Sequence, residues 1–178
     1  MTELLIGAQD HLHALLDFMG AGGAVMWALA ALCVAFWTLV FERLHYMRRV
    51  FPQWAGERRR AWFELEREPG RWQHAVRAAW LAQARQHLLG PLRLPRVLVA
   101  LYPLLGLLGT VSGMVAVFDV LALSGTGNPR GMAAGVWQAT LPTMAGMVLA
   151  ISGLFSLARL ERNARRALEQ LADQLRHD

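Results

Sequence analysis

The chain has 178 residues, 55% of them apolar, with a positive mean hydropathy and a net charge of +5. That is short for several domains and too apolar for an ordinary soluble one, so the composition points to a small integral membrane protein. Its single cysteine, Cys33, excludes a disulfide framework or a cysteine metal site, and its eighteen basic residues are all arginines whose clustering beside apolar runs argues against nucleic acid as the partner.

Residues 1–19 carry Glu3, Asp10, His11, His13 and Asp17 among apolar residues at helix-like spacing, which predicts a short amphipathic helix at the outer interface. No basic segment opens it, so a cleavable secretory signal is not expected. His11 and His13 stand two residues apart and would not face each other on a helix, so they are read as a solvated face rather than a metal pair. Residues 20–41 hold the first predicted span, with twenty uncharged residues from Gly22 to Phe41. The helix should continue past Arg43 until Pro52 interrupts it.

Residues 42–96 form a polar helical region with twelve arginines against five acids, whereas the residues before Gly20 have three acids and no arginine. Arginine on one side of the spans places this region inside and the N-terminus outside, with anionic lipid headgroups as the expected partner. Two helices are predicted, broken at Pro69-Gly70. The first sets Trp62, Phe63 and Leu65 opposite Arg58, Arg59 and Arg60; the second carries a stripe of Trp72, Val76, Ala79, Trp80, Gln83 and His87. Gly90-Pro91 and Pro95 are expected to end the region and redirect the chain.

Two further apolar runs form a hairpin. Residues 97–118 are twenty-two uncharged positions and residues 131–158 twenty-eight, about 33 Å and about 42 Å if helical, joined by a turn over residues 119–130. In the first arm Gly106, Gly109, Gly113 and Ala116 share a face with Thr110 at its edge; in the second, Gly135, Ala139, Thr143, Gly146, Ala150 and Gly153 fall within an arc of about 80°. Small residues let helix backbones approach closely in lipid, so both arms are built to touch other helices. Residues 159–178 keep Leu160, Ala164, Leu168, Leu171 and Leu175 at helical spacing, so the third span should run on as an amphipathic tail. The expected fold is therefore an all-α integral membrane protein of three long transmembrane helices extended into a helical bundle on the inner side.

The segments from Pro103 to Met114 (PLLGLLGTVSGM), then Phe118, and from Gly135 to Met147 (GVWQATLPTMAGM) followed by Ala150-Ile151, resemble the MotA/TolQ/ExbB proton-channel family, with the ExbB branch nearest. The resemblance implies a bacterial inner-membrane protein with a periplasmic N-terminus and a cytoplasmic C-terminus. It implies a homo-oligomer, a pentamer in the family, around single-span ExbD-like subunits that carry a membrane aspartate, with the work delivered through a TonB-like protein. Thr110 and Thr143 match the family's pore threonines, and Gln138 falls where relatives have Glu or Gln. Pro103 matches the start of the second span. Pro142 departs from the family pattern and would free the carbonyl of Gln138 or Ala139 and kink the helix.

No Asp, Glu, Lys, Arg or His occurs inside any of the three runs. A proton path through a bilayer ordinarily needs an ionisable carrier, so either this chain conducts nothing or a partner brings the carboxylate. Asp119 lies nine residues beyond Thr110, about 13 Å along a helix, at the outer rim, where it is read as a solvated end group or a proton relay with Arg130 across the turn as its ion-pair partner. A TolQ-type envelope motor uses the same physics, and a non-conducting membrane scaffold would explain the glycine faces alone. No cofactor, metal or enzymatic site is expected: the histidines lie outside the runs and the lone cysteine has no nearby base.

Overall fold

The computed structural model describes residues 13–14, 16–66, 72–124 and 129–175. The expectations for residues 1–12, for the break at Pro69-Gly70 and for the tip of the hairpin turn at 125–128 lie outside the described residues. Every described element is helical: α1 (Gly23–His45), a π-helical turn (Tyr46–Val50), α2 (Phe51–Glu66), α3 (Gln73–Leu89), a 3-10 turn (Gly90–Leu92), α4 (Arg93–Ser124) and α5 (Pro129–Gln174). Three helical runs are long and apolar enough to cross a membrane: Gly23–Glu64, Gln73–Ala122 and Arg130–Gln174. The 46-residue α5 carries the third span and the amphipathic tail as one helix.

Residues 16–21 are also helical and end in a turn at Gly22, whose N–H donates to the Phe18 carbonyl at 3.4 Å. Gly23 follows with φ of 68°, a left-handed backbone that only glycine adopts cheaply and that commonly closes a helix. The first span therefore starts afresh at Gly23.

Prolines shape the helices differently from the sequence reading. Pro52 does not interrupt the helix leaving α1: it sits second in α2, after a π turn in which the Phe51 N–H reaches back to the Tyr46 carbonyl. The wider turn accommodates a ring that would collide with the preceding carbonyls of a regular helix. Gly90-Pro91 forms a single 3-10 turn and Pro95 lies in the first turn of α4, where a missing N–H costs nothing, so the chain stays helical from Gln73 to Ser124. Pro103 and Pro142 both lie inside continuous helices. The arms also outrun their uncharged segments: α4 reaches Ser124 and α5 starts at Pro129, which leaves far less turn than 119–130.

The chain divides into two compact units, one of Met1–Ala35 with Val99–Ser152 and one of Phe36–Leu98 with Gly153–Asp178. The second has its own apolar core of Phe51, Trp62, Ala84, Leu88, Leu92, Leu157, Leu160, Ala164, Leu171 and Leu175. The C-terminal leucine stripe supplies much of it. The packed faces of α2 and α3 are not those that hydropathy suggests. Arg58 does not stand opposite the aromatic face of α2; its guanidinium lies 5.4 Å from the ring centres of both Trp54 and Trp80, while Phe63 is 58% exposed. On α3 the buried positions are Gln73, Ala84 and Leu88, with Arg77, Trp80 and Leu81 partly covered, whereas Trp72 is 78% exposed. Of the predicted stripe, Val76 and Trp80 are partly covered, Trp80 against the core, while Trp72, Ala79, Gln83 and His87 are exposed and Gln73, Ala84 and Leu88 take the buried positions. Arg77 can be partly covered because its Nη2 donates to the Ala172 carbonyl at 3.0 Å, in the last turn of α5. A cation held on carbonyls at a helix C-terminus is stabilised by both the bond and the helix dipole.

Trp62 and Phe63 are adjacent aromatics with opposite fates, 2% and 58% exposed. Trp62→Ala should lower the stability of the detergent-solubilised protein by about 3–5 kcal/mol, and Phe63→Ala by about 0.5 kcal/mol or less, read as the shift in thermal unfolding.

Candidate functional site: the small-residue seam between α4 and α5

The inner faces of α4 and α5 meet along their small residues. A Cβ at Gly146 would lie 2.6 Å from the Tyr102 carbonyl oxygen and 3.3 Å from the Gly106 Cα. One at Gly106 would lie 3.0 Å from both the Pro142 carbonyl oxygen and the Thr143 Cα. Towards the turn, Gly113 faces Ala139, with 2.8 Å from a Cβ there to the Ala139 Cα, and Gly135 faces the Val117 side chain at 2.6 Å. Four of these glycines thus hold positions where any side chain would strike the other helix, and at Gly106, Gly113 and Gly146 what it would strike includes main chain. Such closeness is what packing in lipid rewards, because lipid offers no hydrophobic penalty to drive association. Gly153 is buried in the other unit.

Pro142 is part of this seam. Its ring is fully buried and fills the space over Gly109, where a Cβ would come within 2.8 Å of the proline Cγ and 3.2 Å of Val25 Cγ1. Its missing N–H leaves the carbonyl four residues back, that of Gln138, without a helical donor. Sequence reasoning found the freed carbonyl but not the reason for the proline, which is a ring-into-glycine contact that only the pairing of the helices reveals.

The two threonines do different things. The Thr143 hydroxyl donates across the seam to the Gly106 carbonyl at 2.8 Å, a bond between helices. The Thr110 hydroxyl donates to the Leu107 carbonyl of its own helix at 2.7 Å, the ordinary fate of a membrane threonine. Ser112 and Thr140 bond back to Gly109 and Trp137 in the same way, at 3.1 and 2.8 Å. Gln138 is exposed, and its side-chain amide has no hydrogen-bond partner among the described residues. Asp119 is exposed on α4, more than a turn before the helix ends. It is not paired with Arg130: among the described residues the ion pairs are Arg43 with Glu42 and Arg96 with Glu161. Both Asp119 and Arg130 are exposed.

Away from the seam, both helices present many apolar side chains, among them Leu104, Val111 and Val115 on α4 and Met147, Val148 and Ile151 on α5, each more than half exposed. In a membrane these faces meet lipid or other helices. A third helix is tied in from the side, where the Tyr102 hydroxyl shares a hydrogen bond with Cys33 of α1. Among the described residues no group of three His, Cys, Asp or Glu side chains is placed to hold a metal ion. The site therefore offers hydroxyls, an amide and main-chain carbonyls, but no proton carrier of its own.

The profile of the MotA/TolQ/ExbB proton channel family matches residues 55–173, which include both arms of the seam. The biopolymer transport protein exbB1 of Vibrio cholerae is 33% identical over 99 residues, 55% of this chain and 43% of that protein. An ExbB-like biopolymer transport protein of Synechocystis is 42% identical over 65 residues, 35% of this chain and 26% of that one. The chain thus spans less than half the length of the curated relatives it matches. No solved structure matches it.

Filling the seam should loosen it. Gly146→Ala is expected to cost about 1–3 kcal/mol, since its methyl group meets fixed main chain. Gly56→Ala, in the interior of α2 with nothing within 4 Å of the new methyl group, should raise stability by about 0.5–1 kcal/mol. Thermal unfolding of both variants in one detergent reads the opposite signs.

Proposed function

The chain belongs to the MotA/TolQ/ExbB proton channel family, and from that premise we propose that it is the ExbB-type subunit of an inner-membrane motor that couples the proton gradient to TonB-dependent uptake across the outer membrane. It is a multi-pass membrane protein with three helices able to span. The names of both relatives favour the ExbB branch over a TolQ-type motor. The arginine-rich second unit faces the cytoplasm and the anionic inner leaflet, and the N-terminus faces the periplasm.

The observation that carries the reading is the polarity of the packed hairpin. The hairpin arms are uncharged from 97 to 118 and from 131 to 158, yet polar side chains stand along them at Thr110, Gln138 and Thr143. A scaffold needs the glycines and gains little from Gln138, because an amide without a partner in lipid is costly. A channel subunit whose acid is carried by another polypeptide needs exactly that kind of wall: neutral, polar and rigid. Several copies, five on the family pattern, surround ExbD-like single-span helices whose aspartate takes up and releases the proton. Thr110, Gln138 and Thr143 lend hydrogen bonds to that carboxylate or to water beside it. The role is conduction and force transfer, not catalysis of a covalent reaction.

The seam sharpens the test of Thr143. Thr143→Ser keeps a hydroxyl within reach of the Gly106 carbonyl, whereas Thr143→Val keeps the shape and removes the bond. With matched protein levels, gradient-dependent uptake of an iron complex should stay near wild type with Ser and fall at least about tenfold with Val, one decade being about 1.4 kcal/mol. Equal uptake in both variants refutes the pore role. In proteoliposomes the purified chain alone should pass no protons, and addition of the aspartate-bearing partner should restore a current.

A further inference from the structure

Within the first unit, a cavity of about 750 Å³ opens between the start of α1, the far half of α4 and the beginning of α5. Thr110 and Thr143 are not among its walls, whereas Gln138, Ser112 and Pro142 are. The contact between Gly113 and Ala139 sets the residues before them, Ser112 and Gln138, about 3 Å apart along the axes of the two antiparallel helices. Most of the wall is apolar and made of small side chains, so what fills it depends on the few polar groups it holds.

Those groups suit water. An apolar void stays dry, but a water needs only two to four polar partners to be held. Gln138 presents an amide that has no partner among the described residues, and its carbonyl lacks the N–H that Pro142 cannot supply. The Ser112 hydroxyl spends its proton on the Gly109 carbonyl and keeps lone pairs to accept another bond. Donors and acceptors therefore stand at neighbouring levels of the cavity, and all are neutral, so they hydrate it without trapping a cation.

The geometry points to a hydrated vestibule: water, and with it protons, reaches the level of Gln138 along an open cleft of this subunit, between α1, α4 and α5, from the end of the spans where the hairpin turns. This rests on the channel reading above and adds the route of access. Pro142 serves it twice, filling Gly109 below the cavity and freeing a carbonyl beside it.

The test is cysteine accessibility in membranes carrying the full chain with Cys33→Ser. Ser112→Cys and Gln138→Cys should react with a small membrane-impermeant thiosulfonate at least tenfold faster than Val148→Cys, which is 67% exposed on an apolar face, and from one side of sealed vesicles only. Adding Ala116→Leu, which narrows the cavity from its wall, should slow the reaction of Ser112→Cys at least tenfold. Reactivity no greater than that of Val148→Cys, or insensitivity to Ala116→Leu, overturns the vestibule, as would labelling from both sides. Labelling needs neither partner nor current, so it can fail while the channel role stands, and it can succeed where uptake measurements refute that role.

Discussion

The closeness of two backbones in an uncharged hairpin governs this protein. In water, helices pair to hide apolar side chains; in lipid that incentive vanishes, and what remains is contact and hydrogen bonding. The chain meets the constraint by removing side chains where α4 and α5 cross. Gly106 and Gly146 bring main chain against main chain, Gly109 receives the ring of Pro142, and the Thr143 hydroxyl closes the gap onto the Gly106 carbonyl at 2.8 Å. Larger residues at those sites would push the helices apart and leave that hydroxyl to find a carbonyl on its own helix, as Thr110 does.

The same economy explains what the membrane part lacks. A carboxylate inside any span would have to be hydrated or paired in each copy of the chain. Keeping all charge out lets the hairpin insert and pack as a plain apolar element. The polar groups that stay are of the cheapest kind: hydroxyls that can satisfy themselves on their own helix, an amide beside a cavity, and a carbonyl released by a proline.

In the second unit, arginine works as a packing residue as much as a charge. Arg58 lies over two indole rings, Arg77 caps the end of α5, and Arg96 pairs with Glu161. Each uses the flat, permanently charged guanidinium or its long stem in a way that lysine would not reproduce. That the chain contains no lysine is consistent with this use.

Much of the architecture was legible beforehand. Three uncharged runs, the one-sided arginines, the two small-residue stripes and the leucine stripe of the tail are periodic or compositional, and periodicity survives in a linear string because each helix repeats its face every 3.6 residues. The sequence by itself therefore determined the three apolar runs free of charge, the helical tail and the small-residue faces of the hairpin arms. Only the tertiary structure decided what each face touches. It left Trp72, Ala79, Gln83 and His87 of the α3 stripe exposed while covering Val76 and Trp80, carried the helix through Pro52 on a π turn, left Asp119 and Arg130 without an ion pair between them, and gave Thr110 and Thr143 different partners. The reason is common to all of these: whether an arginine finds a distant helix end, or a hydroxyl a neighbour's carbonyl, depends on distances between helices, and those are set jointly by residues far apart in the chain.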